Sequence, residues 1–188
     1  MKSRFIEKEF TYTGEQLAPS WIYKNYWIKG DAIVSFIGEC NVEIDKMVDI
    51  EDYLNDCPIY SPKMLNFIVE HFNIGLVEGV LRQRLFMCII QEVLLSYLPK
   101  GNKIIRKGDD LFFNGGKLSV SICTKSITSV LMHVGINIDT ENTPVKAAGL
   151  KTDMNFDNIK EIAEDIMNKY ILECEQVIDA SCKVRGVY

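Results

Sequence analysis

The most informative part of this 188-residue chain is the stretch Gly108-Asp109-Asp110-Leu111-Phe112-Phe113-Asn114-Gly115-Gly116-Lys117-Leu118-Ser119-Val120-Ser121. Asn114 and Gly115 lie between apolar runs, and both residue types tolerate the positive φ angles of a tight hairpin turn. The stretch therefore predicts a hairpin with Lys117 just past its turn. A lysine there is either a solvated charge on an edge strand or a fixed positive charge for a bound carboxylate or phosphate, and the spacing alone does not decide between them.

Hydrophobic patterning along the rest of the chain predicts an α+β fold. Strands are predicted at residues 31–38, 65–71, 111–113, 117–124 and 130–138, the last two as an antiparallel pair. A long helix is predicted at 76–98, ended by Pro99 and Gly101, and an amphipathic helix at 156–180. One apolar face of the long helix is predicted to comprise Val77, Leu81, Leu85, Ile89 and Val93.

Three motifs follow one another in the second half of the chain. They are Gly-Asp-Asp-Leu at 108–111, Lys-Leu-Ser-Val-Ser at 117–121 and His-Val-Gly-Ile-Asn-Ile at 133–138. Their order resembles the lipoate and biotin protein ligase superfamily, including the octanoyl transferases. The resemblance implies one domain over residues 1–188 with a class II aminoacyl-tRNA synthetase/biotin–lipoate ligase-like fold, a mixed, mostly antiparallel sheet packed against helices. It implies recognition of a small carboxylate or of its activated acyl form.

The same resemblance implies roles for individual residues. Lys117 matches the ligase lysine that contacts the acyl group and the phosphate of the acyl-adenylate, and Asp110 matches the acidic residue of the ligase Asn-Asp pair, where it would contact nucleotide or metal. His133 is a candidate general base as a neutral imidazole. These three are the predicted catalytic residues. The predicted substrate-binding residues are Ser119, Ser121, Gly108, Asn137 and Asp109.

Two segments in the first half of the chain are also distinctive. One is the pattern Gly14-x-Gln16-Leu17-x-Pro19-x-Trp21-Ile22, and the other is the run Met64-Leu65-Asn66-Phe67-Ile68-Val69-Glu70-His71-Phe72. Together with the strand of Lys117, they are similar to the prokaryotic family catalogued as domain of unknown function 366. This similarity covers most of the chain.

Two features depart from the ligase pattern. Ala148 stands where octanoyl transferases place a nucleophilic cysteine, which excludes a thioester at that position. Residues 47–60 match the glycine- and arginine-rich adenylate loop of the ligases but contain neither residue type. An acidic loop repels ATP phosphates unless a divalent metal lies between them, so the use of ATP and Mg²⁺ as cofactors stays open. The acidic residues of this segment are Asp49, Glu51, Asp52 and Asp56.

The amino-acid composition indicates which binding partners and which cellular compartment to expect. With 26 acidic against 21 basic side chains the net charge is -5, which argues against a general nucleic-acid or anionic-membrane binder. The longest apolar run, residues 85–90, is too short to span a bilayer, and no secretory leader is expected. The six cysteines show no Cys-x-x-Cys spacing, so reduced thiols and a cytoplasmic protein are expected.

Metal binding is expected to be limited. His71 and His133 are the two histidines, too few for a multi-histidine site, so no metal site is assigned. Both are expected to be hydrogen-bonded structural residues, with His133 the stronger candidate for a role in the site. The pairs Asp109-Asp110 and Glu51-Asp52 could bind Mg²⁺, but adjacent strand residues point to opposite faces, so each pair should offer at most one inward carboxylate.

Two classes of function remain open. An enzyme would activate a carboxylate or transfer an acyl group at a pocket formed by Lys117 and Asp110. Cys123, on the same predicted strand face as Ser119, is the one candidate nucleophile placed beside that pocket. A binding or accessory protein would keep the pocket without the adenylate loop. The identity of the substrate and the oligomeric state are not encoded in any recognisable motif.

Overall fold

Runs of β-branched and aromatic residues form two β-sheets in the computed structural model, which describes residues 1–141, 143 and 145–187. The larger sheet has five strands and the smaller has three. In chain order the strands are β1 (Lys2–Ile6), β2 (Ala32–Val42), β3 (Ile59–Phe72), β4 (Ile104–Lys107), β5 (Asp110–Phe113), β6 (Gly116–Lys117), β7 (Ser119–Lys125) and β8 (Ser129–Asp139). The strand orders are β1-β2-β3-β8-β7 and β4-β5-β6. β1 and β2 are parallel, and the other pairings of these strands are antiparallel.

The described residues also form four α-helices. They are α1 (Trp21–Tyr26), α2 (Ile50–Leu54), α3 (Leu76–Tyr97) and α4 (Ile159–Cys182). α3 stops at Leu98, whose ψ of 148° is extended, because the proline that follows disfavours helical backbone in the residue before it. No helix in the described part of the chain is long and apolar enough to cross a membrane.

The five-stranded sheet separates two buried layers. On one face, α3 and α4 pack against the strands through a core that includes Phe67, Phe86 and Tyr170. On the other face, the N-terminal segment covers the sheet, and Ile22 of α1 joins a cluster with Phe36 of β2. The candidate site lies on this second face, beside β7 at the edge of the sheet.

The main sequence-based expectations for the fold are confirmed. The protein is α+β, both long helices begin and end close to their predicted bounds, and β7 pairs antiparallel with β8, with Ser121 opposite Val134. The hairpin is confirmed as well. Asn114 and Gly115 have φ angles of 48° and 77°, the two positive values that a tight turn between β5 and β6 requires.

The prediction of one continuous strand over residues 117–124 is wrong. β6 ends at Lys117 and β7 begins at Ser119, so Leu118 lies between the two sheets. The Leu118 N–H donates to the Leu111 carbonyl oxygen at 2.8 Å, and the Leu118 side chain is buried. This break assigns Lys117 to the smaller sheet and Ser119 to the larger one.

The apolar face predicted for the first half of α3 is also wrong. Val77 and Leu81 are 76% and 63% exposed, whereas Gly79 and Gln83 are buried. A Cβ at position 79 would lie 2.5 Å from Val130 Cγ1, so the close approach of α3 to the sheet requires glycine there. The sheet-facing side of this half-helix therefore carries a glycine and a glutamine instead of large apolar residues.

Candidate small-molecule site

A cavity of about 250 Å³ opens beside β7, on the face of the sheet that the helices α3 and α4 leave free. Its walls come from the N-terminal segment, from the end of β2 through α2, from the β4–β5–β6 hairpins and from β7 and β8. It brings together five of the eight residues predicted for the site. These are Asp109, Asp110, Lys117, Ser121 and His133.

The backbone of Lys117 is held by the segment that follows β8. The Lys117 N–H donates to the Lys146 carbonyl oxygen, and the Lys117 carbonyl oxygen accepts from the Ala148 N–H, both at 2.9 Å. Asn137 Nδ2 donates to the same carbonyl oxygen at 3.1 Å. A side chain that starts from a fixed backbone reaches a limited volume, so the ammonium group is directed to one region of the cavity.

Lys117 forms an ion pair with a second predicted residue, Asp110. Lys117 Nζ lies 2.9 Å from Asp110 Oδ2, and about a third of each side chain is exposed, at 34% and 29%. Burial raises the pKa of the Asp110 carboxyl above its ordinary value, the hydrogen bond and charge of Lys117 lower it, and the Asp109 and Asp52 carboxylates raise it. Asp110 therefore lies among like charges that a single lysine does not offset.

Asp109 and Ser121 are linked through the buried Gln83 of α3. Gln83 Nε2 donates to Ser121 Oγ at 2.7 Å and to Asp109 Oδ2 at 3.2 Å. The Ser121 hydroxyl in turn donates to the Asp109 carbonyl oxygen at 2.9 Å. This network explains the polar residue on the sheet-facing side of α3, and it fixes the Asp109 carboxylate with neutral donors rather than with a cation.

The acidic segment around α2 forms the facing wall. Asp49 is the N-cap of α2, and its Oδ1 accepts from the N–H groups of Glu51 at 2.8 Å and Asp52 at 3.2 Å. All three carboxylates line the cavity. Burial raises the pKa of the Asp52 carboxyl, Asp49 raises it further, and Lys117 lowers it.

The expectation that each acidic pair offers at most one inward carboxylate is wrong. Asp109 and Asp110 both line the cavity, and so do Glu51 and Asp52. The expectation assumed extended strands, where neighbouring side chains alternate. Asp109 instead lies in the turn before β5, and the other pair lies in the first turn of α2, where successive side chains do not point to opposite faces.

His133 contributes to the cavity wall although only 3% of its surface is exposed. Its ring stacks on Tyr12, with centroids 3.6 Å apart and planes inclined by 13°. Asn66 Nδ2 donates to the Met64 carbonyl oxygen at 3.2 Å, which directs Asn66 Oδ1 toward His133 Nε2, 2.9 Å away. Nε2 therefore carries the hydrogen and Nδ1 is an acceptor, to which the described residues offer no hydrogen-bond donor.

Burial also sets the charge of this ring. It lowers the pKa of His133 to about 3, so the imidazole is neutral at neutral pH. A base this weak is poorly matched to proton abstraction near pH 7. The surroundings of His133 therefore suit a hydrogen-bond acceptor better than the general base that the sequence motif suggested.

Three predicted binding residues are not among the described lining residues of the cavity. Ser119 is buried, and its Oγ accepts from the Leu111 N–H at 2.8 Å. Asn137 holds the Lys117 carbonyl group, as described above. Gly108 lies in the turn between β4 and β5 with a φ of 65°. These residues position the strands and turns that carry Lys117 and Asp110.

The prediction that Cys123 lies beside the pocket is wrong. Cys123 is not among the described lining residues, and a Cβ at position 79 would lie 2.9 Å from its Sγ, so the thiol packs against α3. Burial raises the pKa of this thiol to about 11. Ala148 stands at the position that was compared with the transferase cysteine. It is buried in the core that α3 and α4 form with the sheet, against which Cys123 also packs.

Several residues of the site were not predicted from the sequence. Tyr12 and Asn66 reach His133 from distant parts of the chain, and no local pattern marks such contacts. Lys46 lines the cavity with its Nζ 2.5 Å from Glu15 Oε1. Gln83 did leave a signal, because it is a polar residue one helical turn after Gly79 on the side of α3 that faces the sheet.

Known proteins resemble this chain at two levels. The family model described as Domain of unknown function (DUF366) matches residues 1–185. A solved structure of a protein from Pyrococcus horikoshi is 33% identical to this chain with a TM-score of 0.88, and the match covers 99% of this chain and 100% of that one.

Ligase-like structures match at lower identity. A biotin protein ligase from Aquifex aeolicus in complex with biotin and ATP is 14% identical, with a TM-score of 0.61 over 93% of this chain and 71% of that one. A T. acidophilum protein proposed to be a lipoate protein ligase, with bound lipoic acid, is 12% identical, with a TM-score of 0.56 over 89% and 84%. The predicted ligase-like fold is thereby confirmed. The chain belongs to the DUF366 family and has the fold of the biotin and lipoate protein ligase catalytic domains.

Proposed function

We propose that the cavity binds a small molecule carrying a carboxylate or an acyl group, and that Lys117 contacts its oxygen atoms. The observation that carries this proposal is the Lys117 ammonium group, which lines a cavity of about 250 Å³ from a backbone held on both sides. Pockets for small ligands usually measure about 300–1,000 Å³, so a ligand at the small end of that range is expected. Biotin and lipoic acid, which two structures of this fold hold, are both carboxylic acids.

The Lys117–Asp110 ion pair is compatible with this role. An ammonium group has three N–H donors, and Asp110 Oδ2 uses one of them. The other two are available to ligand oxygen atoms on the cavity side. Ser121 and His133 also line the cavity, so the ligand is expected to be polar at more than one position.

The residues around the cavity do not fit ATP. Both lysines of the lining are already ion-paired, Lys117 with Asp110 and Lys46 with Glu15. Five residues with carboxylate side chains also line the cavity. A triphosphate placed among these groups would be repelled. We therefore propose that the protein recognises its ligand without adenylating it. The lining carboxylates are Asp49, Glu51, Asp52, Asp109 and Asp110.

A ligand screen tests this proposal. Straight-chain carboxylates from butyrate to decanoate, with lipoate and biotin, are added to the protein with and without ATP and Mg²⁺, and the melting temperature and heat of binding are measured. A ligand at a hundred times its Kd should stabilise the fold by about 2.7 kcal/mol, which raises the Tm of a chain of this size by about 5–10 °C. We expect at least one acid to do so, equally with and without the nucleotide.

Two matched variants test whether the rise in melting temperature comes from binding in the cavity. Lys117→Ala should abolish the shift, whereas Lys103→Ala, which removes an exposed lysine outside the cavity, should retain it. An acid whose binding survives Lys117→Ala would overturn the role of that lysine. Acid-dependent exchange of labelled pyrophosphate into ATP, lost in Lys117→Ala, would instead identify a carboxylate-activating enzyme and refute recognition without adenylation.

A further inference from the structure

We infer that the ligand of this cavity carries a protonated amino group as well as a carboxylate or acyl group, so that its class is the small aminocarboxylates. This inference rests on the proposed function and specifies its substrate class. It is carried by two independent features of the cavity, the imbalance of charge in its walls and the unused acceptor nitrogen of His133.

The walls hold more negative than positive groups. Five carboxylates line the cavity against two lysines, Lys46 and Lys117. Lys46 Nζ lies 2.5 Å from the carboxylate of Glu15, which is not among the described lining residues. The described residues offer no hydrogen-bond donor to the Asp52 carboxylate, although its side chain is only partly exposed.

This imbalance disfavours a ligand that is only an anion. A simple carboxylate bound to Lys117 would lie near Asp110, Asp109 and Asp52, and each of these repels it. A ligand with both charges avoids that penalty because its carboxylate pairs with Lys117 while its ammonium group pairs with the unpartnered carboxylates. The ligand ammonium group then gives the lining carboxylates a second positive neighbour beside Lys117.

His133 points to the same chemistry independently. The Asn66 oxygen fixes the hydrogen on Nε2, so Nδ1 accepts hydrogen bonds and cannot donate them. A carboxylate has no hydrogen to give to Nδ1, but an ammonium group has three. His133 lines the cavity and is 3% exposed, and we assign the donor to Nδ1 to a molecule inside the cavity.

Three acids that differ only at the end away from the carboxylate, and one amine without a carboxylate, separate charge from hydrogen bonding. They are pentanoate, 5-hydroxypentanoate, 5-aminopentanoate and pentylamine, each with its shorter and longer homologues, and binding is measured by isothermal titration calorimetry at neutral pH. At the best chain length, we expect the aminocarboxylate to bind about tenfold or more tightly than the simple carboxylate, since hydrogen bonds to charged groups are among the stronger ones. The hydroxy acid, which can donate to His133 Nδ1 but brings no positive charge, should bind with an affinity between those of the simple carboxylate and the aminocarboxylate.

Variants assign each end of the ligand to its part of the wall. Asp52→Asn should reduce the preference for the aminocarboxylate to less than about threefold while leaving binding of the simple carboxylate equal or tighter. Asp157→Asn, which neutralises an exposed aspartate outside the cavity, should leave the preference unchanged. Lys117→Ala should weaken both acids together.

The outcomes distinguish this inference from the proposed function. Equal binding of pentanoate and 5-aminopentanoate, lost in Lys117→Ala, would overturn the inference and leave the carboxylate site in place. Equal binding of the hydroxy and amino acids would overturn the requirement for charge. Absence of Lys117-dependent binding across all four series would refute the proposed function, and the inference with it. Tightest binding by pentylamine alone would refute the carboxylate end of both.

Discussion

The two histidines of this chain lie on neighbouring strands and differ in how many ring nitrogens are hydrogen-bonded. His71 is fully buried, with Nδ1 2.9 Å from Asp31 Oδ2 and Nε2 2.8 Å from the Tyr170 hydroxyl oxygen. His133 uses Nε2 alone among the described residues. Buried polar groups in a stable core are almost always partnered, so the first arrangement indicates stabilisation of the fold and the second indicates room for a ligand.

The carboxylates beside the two sites differ in the same way. Burial acts to raise the pKa of Asp31, but hydrogen bonds from His71 and the Phe72 N–H outweigh it, and the pKa falls below its ordinary value. Asp110 in the cavity has a raised pKa despite its pairing with Lys117. One carboxylate is therefore stabilised in its charged form by the fold itself, whereas the other would gain from a positive charge brought by a ligand.

The largest expected effect on stability is at His71. His71→Ala removes a buried ring, leaves the Asp31 carboxylate with the Phe72 N–H but without the imidazole, and leaves the buried Tyr170 hydroxyl without its histidine partner. The free energy of unfolding should fall by about 3–5 kcal/mol, measured by urea denaturation. Tyr170→Phe removes only the hydroxyl and should cost about 1–3 kcal/mol. If both variants unfolded at the wild-type urea concentration, the structural role of this cluster would be refuted.

The second-largest expected effect is the dependence of the unfolding free energy on pH that His133 contributes. Its folded pKa of about 3 lies below the unfolded value of 6.5, so between these values the unfolded chain binds the additional proton. The contribution of His133 to the free energy of unfolding is therefore fully present above pH 6.5 and is lost as the pH falls toward the folded pKa. The slope approaches about 1.4 kcal/mol per pH unit, or about 2 kcal/mol between pH 6.5 and pH 5.

Comparing the wild type with His133→Gln isolates the contribution of His133 to this pH dependence. Glutamine does not titrate, so the unfolding free energy of the variant should vary less than that of the wild type across the same window. Lys103→Ala serves as the control and should follow the wild-type curve. Parallel curves for the wild type and His133→Gln would show that His133 does not have a lowered pKa, and would contradict the neutral acceptor that the comparison assigns to it.

A smaller change in stability is expected for Lys117→Ala. The ion pair with Asp110 is about a third exposed, and such pairs contribute about 0–1 kcal/mol. The Tm should therefore shift by no more than about 4 °C, while binding of the carboxylate ligand is lost. A loss of several kcal/mol in this variant would mean that Lys117 serves the fold, and the distinction between the two regions would fail.

The smallest expected effect is that of Cys123→Ser on ligand binding. The thiol packs against α3, outside the described lining of the cavity, and burial raises its pKa to about 11. A thiolate is the reactive form, so Cys123 should be unreactive toward iodoacetamide at neutral pH, and ligand binding by Cys123→Ser should equal that of the wild type. Rapid alkylation of Cys123 that a bound carboxylate prevents would place the thiol at the site after all.

Local pattern predicted the parts of the fold that short-range interactions determine. Asn114-Gly115 predicted the hairpin because its turn depends on two adjacent residues. The periodic apolar residues of α4 predicted that helix for the same reason. β1 and β4 were not predicted, because each is a short strand with mostly exposed residues and therefore lacks a clear apolar pattern.

The parts that the sequence did not reveal depend on long-range contacts. The break at Leu118 arises because Lys117 pairs with residues 146 and 148 instead of with β8. The stacking of Tyr12 on His133 joins positions far apart in the chain. Lys117, Asp110 and His133 were chosen from motifs and do line one cavity, but no motif indicated that Lys46 lines it with them or that Gln83 of α3 holds Asp109.

The most direct test of the difference between the two regions is nitrogen-15 NMR of protein labelled at histidine, because the chain has two histidines. At neutral pH, we predict that His133 is a neutral ring with the hydrogen on Nε2. Saturation with the tightest-binding acid of the panel should shift its Nδ1 resonance, leave both His71 resonances in place, and have no effect in Lys117→Ala. Movement of His71 instead of His133, or an unchanged His133 resonance at saturation, would contradict the assignment of the cavity as the ligand site.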